Sequence, residues 1–118
     1  MNKKDLEKST QNRTMPEFSA IYDQRRDLIE SGEWFEPGIV YTLDPGVLSM
    51  FGPDIELSTE YSDGRKVETT VNFNHLTIAK YVGPADDGFN QIFRINGQDR
   101  KVRGFRLHYL IPSDRYNH

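Results

Sequence analysis

The chain has 118 residues, enough for one hydrophobic core and too few for two ordinary domains. It contains no cysteine, which excludes disulfides, thiolate metal sites and cysteine nucleophiles. The net charge of -3 conceals an asymmetry, since residues 1–59 carry six Lys/Arg against eleven Asp/Glu and residues 60–118 nine against seven, a bias weaker than that of a typical nucleic-acid-binding domain.

Residues 1–13 are polar around an isolated Leu6 and are expected to form a flexible tail, leaving 14–118 as a single helix-plus-β domain. The opening stretch lacks the apolar core of a secretion signal, and no apolar run approaches the roughly 20 residues of a membrane span. The expectation is a cytoplasmic protein with no membrane partner.

The first helix signal is "TMPEFSAIYDQRRDLIESGEW", where Thr14 and Glu17 have capping-box spacing and Pro16 falls in the first turn. Phe18, Ile21, Tyr22, Leu28 and Ile29 recur at helical period, with the Arg25 stem filling the stripe, and Gly32 suits the position that ends the helix. Beyond Gly32 the period changes to two, and Gly and Pro recur as turn markers. Strands are expected at 38–43, 55–61, 67–73, 75–82, 90–95 and 101–111. A three-residue loop at 63–65 would place Leu57 opposite Val71 and Ile55 opposite Phe73 on the inner face, leaving Glu60 opposite Glu68 outside. Asn96-Gly97 signals a tight hairpin that sets Arg94 opposite Asp99; it also sets Phe93 opposite Arg100, which argues for a bulge near Gly104 or a longer loop. The expected fold is α+β: one N-terminal helix packed on a highly curved antiparallel sheet or small β-barrel of about six short strands.

Three surfaces are candidates for function. Trp34 and Phe35, beside Met50 and Phe51, could form an aromatic and methionine patch rimmed by Glu33, Glu36, Asp44 and Asp54. Asp86 and Asp87 lie in "GPADDGFN", a turn that lacks calcium-loop spacing and reads as a partner-contact loop. In "RKVRGFRLHYL" period two places Arg103, Phe105, Leu107, Tyr109 and Ile111 on a core face and Arg106 and His108 on the other. Arg94, Arg100, Lys101, Arg103, Arg106 and His108 are therefore the candidate nucleic-acid contacts, whose stacking aromatics would have to come from elsewhere.

His75, His108 and His118 show no zinc spacing, the serines lack a nucleophile-elbow context, and glycine-rich phosphate loops are missing, so no cofactor, metal or catalytic residue is predicted. The leading expectation is a small non-enzymatic protein-binding domain, a phage-type inhibitor or adaptor acting on a host or defence protein. One alternative is a single-stranded nucleic-acid-binding barrel. Another is a small-molecule or catalytic barrel whose pocket forms from Tyr41, Glu56, Tyr61, His75, Arg94 and His108. Self-association is compatible with an exposed edge strand or with the Met50 and Phe51 segment.

Overall fold

In the computed structural model, which describes residues 1–60, 63–74, 76–85, 90–102 and 104–117 and only the backbone at 56–60 and 104–106, the main helix begins where its capping residues predict. Helix α2 spans Met15–Glu30, with Thr14 as N-cap: its hydroxyl accepts from the Glu17 amide and donates to the Glu17 carboxylate. Phe18, Ile21, Arg25 and Ile29 form its buried face, and Gly32 follows the C-cap with φ +79°.

Two helices flank it that period alone did not reveal. Helix α1 spans Lys3–Leu6 and α3 spans Pro45–Phe51. The segment expected to be a flexible tail is packed instead: Leu6 joins the core and Thr10 is fully buried. The reason is polar as well as apolar, because the Leu6 and Lys8 carbonyls also receive hydrogen bonds from Arg25 in the body of α2.

Strands β1 (Val40–Leu43), β2 (Asp54–Glu60), β3 (Lys66–Asn72), β4 (Ala79–Pro84), β5 (Gln91–Ile95), β6 (Gln98–Val102) and β7 (Leu110–Pro112) form one antiparallel sheet in the order β3-β2-β6-β5-β4-β1-β7. The five longer strands β3-β2-β6-β5-β4 are its body. Among the described residues β3 and β7 do not pair, so the sheet is open and the barrel expectation is corrected. Closure would need pairing along both edges, and β7 is only three residues long. Its inner face packs Tyr41, Ala79, Tyr81, Phe93, Ile95 and Val102 against α2 and the Trp34-Phe35 corner. Phe35 contacts Tyr41, Tyr81 and Phe93 at ring-centroid separations of 4.9–5.1 Å, and Trp34 Nε1 donates to the Leu110 carbonyl.

The β2–β3 register differs from the expected one by two residues. Ile55 faces Val71, Leu57 faces Thr69 and Glu60 faces Lys66, so residues 61–65 connect the strands. A shift of two residues preserves the alternation of faces, and it sets position 60 opposite Lys66 where the expected register had Glu68. The β5–β6 hairpin has the tight Asn96-Gly97 turn with φ +51° and +87°, and the Arg94/Asp99 pairing follows. Between 91–95 and 98–102 the register is unbroken, so Phe93 stands opposite Arg100 without a bulge in that stretch. Arg100 instead reaches outward along the inner face, donating to Thr69 and Gln98.

The expected last strand 101–111 is broken. Chain 104–109 winds into a 3-10 helix before β7. Leu107, His108, Leu110 and Ile111 are all buried, and a straight strand with one solvated face cannot bury consecutive residues in this way.

Candidate functional site

A buried ion pair sets the geometry of the surface around it. Arg25 projects from α2 into the interior, and Asp44 ends β1 and caps α3; both side chains are 0% exposed. Arg25 Nη1 donates to Asp44 Oδ2 at 2.9 Å and to the His108 carbonyl at 3.2 Å, while Nε and Nη2 donate to the Leu6 and Lys8 carbonyls. Asp44 also accepts from the Ser9 hydroxyl, from the Thr10 amide and hydroxyl, and from the Gly46 amide. One carboxylate and one guanidinium thus hold together the N-terminal segment, α2, α3 and the 3-10 helix. Burial pulls the Arg25 guanidinium below its ordinary value, and the facing Asp44 charge opposes that shift. Tyr22 closes the network through Thr10 Oγ1 at 3.2 Å, its phenol raised by burial.

The approach is close. A Cβ on Gly46 would lie 2.8 Å from the Thr10 carbonyl carbon and collide with its hydroxyl, so only glycine lets α3 meet the N-terminal segment here.

Held in this way, α3 turns its other side outward. Leu48, Met50 and Phe51 are 45%, 38% and 55% exposed. Phe51 stacks on half-buried Tyr109 at 5.9 Å, Tyr109 meets Tyr22 edge-on, and Tyr22 stacks on Phe18, so an aromatic ladder runs from the surface into the core. Met50 and Phe51 therefore lie on a surface, but Trp34 and Phe35 do not join them: both are buried. Of the expected acidic rim, Asp44 is internal, Asp54 is exposed beside α3, and Glu33 and Glu36 flank the buried Trp34-Phe35 corner. Asp86 and Asp87 lie outside the described residues.

The described basic candidates are dispersed. Arg94 is on the outer sheet face, its Nε donating to Asp99 at 2.8 Å, which raises its pKa further. Lys101 shares that face opposite Ile92, and Arg100 lies on the inner face opposite Phe93. His108 is buried against Tyr22 and Tyr109, not on a solvated strand face. Arg103 lies outside the described residues, as does the Arg106 side chain. Phe93 and Tyr81, the aromatics of this part of the sheet, face inward.

Of the expected pocket residues, the three that are described, Tyr41, Arg94 and His108, do not converge. The Tyr41 hydroxyl is engaged by the Glu36 amide and the Trp34 carbonyl, and burial pushes it up to about 12. Arg94 is outside and His108 is in the aromatic ladder. Tyr61, His75 and the Glu56 side chain lie outside the described residues. Among the described residues, no three His, Cys, Asp or Glu side chains converge as a metal site requires. No described helix is long and apolar enough to cross a membrane.

No family model, curated protein or solved structure matches this chain. Its chemistry must be read from its own geometry.

Sequence reasoning missed Asp44 and Thr10 as interior residues and underrated Arg25. A signal was present: "DPG" has Asp at an N-cap with Pro at the first helical position, and Arg25 is a cation within an apolar stripe.

Proposed function

We propose that this chain is a protein-binding domain of the inhibitor or adaptor kind, and that Leu48, Met50 and Phe51 on α3 are its contact residues. The observation that carries this reading is a short helix with three large apolar side chains in solvent, fastened at its root by a buried ion pair. Aromatic and methionine side chains presented on a fixed backbone have the features of an interface core, because the helix that carries them need not be ordered on binding. Asp54, three residues after Phe51, is exposed and adds an acidic group to these apolar side chains.

The test is capture of partners from the native host lysate on immobilised wild-type chain and on Phe51→Ser, each with and without nuclease. A protein retained by the wild type, insensitive to nuclease and lost with Phe51→Ser supports the reading. Retention that disappears with nuclease favours single-stranded nucleic acid, for which Lys80 and Arg94, side by side on the outer sheet face, are the supporting feature. Oligonucleotide binding that weakens steeply with salt would make that second reading the better one.

A further inference from the structure

Among the described residues, strand β3 pairs on one side only, with β2. Its seven residues, Lys66–Asn72, run beside β2 without Pro or Gly and are exposed or half-buried throughout. The Phe73 amide donates to the Pro53 carbonyl, and this pair continues the register that sets Val71 opposite Ile55 and Thr69 opposite Leu57. Antiparallel ladders alternate, so the odd residues of β3 turn their backbone groups toward β2. The even ones, Lys66, Glu68, Thr70 and Asn72, turn theirs toward the open edge.

We infer that β3 is a self-association edge and that its occupant is β3 of a second copy, joined antiparallel about a two-fold axis at Thr69. The strand is self-complementary in that register. Val67 meets Val71 of the second copy on the inner face, and Thr69 meets its own equivalent. On the outer face Lys66 meets Asn72 and Glu68 meets Thr70, so no like charges are opposed. The even positions supply the inter-copy hydrogen bonds. The register one step away that centres on residue 68 sets Glu68 against Glu68, which selects against it. Val67 and Val71 are only half-buried, and both gain cover from the pairing. The result is a continuous sheet across two copies, and it does not depend on α3.

The absence of cysteine makes the register testable with single substitutions. In this pairing the two Thr69 Cα atoms form a non-hydrogen-bonded pair about 4.5 Å apart, inside the disulfide range of about 4.4–6.8 Å. Thr69→Cys should give a covalent dimer under mild oxidation. Val67→Cys and Val71→Cys, each roughly 14 Å from its own equivalent, should not. Sedimentation of the wild type should show a concentration-dependent dimer. Thr70→Pro removes an edge donor without touching the β2 ladder and should weaken that dimer on the order of tenfold or more, with the circular dichroism spectrum unchanged. A wild type monomeric at every concentration, crosslinking equal at 67, 69 and 71, or a dimer insensitive to Thr70→Pro but lost with Phe51→Ser would each overturn the inference.

Discussion

Replacing Arg25 by Met keeps an unbranched apolar stem and removes the guanidinium with its charge and donors, a direct measure of what the buried ion pair does. The substitution leaves the Asp44 carboxylate at 0% exposure without its cation, and leaves the Leu6, Lys8 and His108 carbonyls without the donors that bind them. Removing one member of a buried pair costs about 3–5 kcal/mol. Three orphaned carbonyls push toward the upper end of that range, although the Leu6 and Lys8 carbonyls can reach water if the N-terminal segment lifts away. Against a total stability of roughly 5–15 kcal/mol, the loss is a large fraction, and for a chain of this size it lowers Tm by about 10–20 °C. Thermal and urea unfolding followed by circular dichroism measure it. The double variant Arg25→Met/Asp44→Leu removes both charges, so it should be less destabilised than the sum of the single variants by about 1–3 kcal/mol. A single-variant loss under about 1 kcal/mol, or strict additivity, would refute the account of Arg25 and Asp44 as a coupled pair.

Deleting residues 1–10 removes Leu6, Thr10 and two of the Arg25 acceptors, and should cost about as much as Arg25→Met; a dispensable tail would leave the urea midpoint unmoved. Gly46→Ala forces a methyl group onto the Thr10 backbone and should destabilise by about 1–3 kcal/mol, with proteolysis of the first thirteen residues accelerated. The pH dependence follows from Tyr41, whose folded pKa of about 12 lies above its ordinary value of 10. The unfolded chain loses this proton first, so the stabilising contribution is full below pH 10 and is lost as pH rises toward 12. Tyr41→Phe should flatten that alkaline decline in urea titrations, and phenolate absorbance should show a tyrosine ionising late in the wild type and absent from the variant.

The main helix and most strands were legible because each is a local matter. Thr14, Pro16 and Gly32 are caps whose chemistry acts within a few residues, and period-two alternation named the inner face of β3. Face assignment survived even where register did not, since the β2–β3 shift was by two residues. Asn96-Gly97 set its own turn, because both positions require positive φ.

Tertiary structure decided the rest, for reasons of distance. Arg25 and Asp44 are nineteen positions apart, and His108 lies eighty-three from Arg25. Nothing in the local pattern says that a guanidinium in a helical stripe will find a carboxylate at the end of the first strand. That meeting buries Thr10, orders the supposed tail, fixes α3 with Met50 and Phe51 outward, and bends 104–109 away from the strand its alternation suggested. Local sequence selects elements because propensity and capping operate over a few residues. Which polar groups can be buried depends on every partner that reaches them, and only the folded chain brings those partners together.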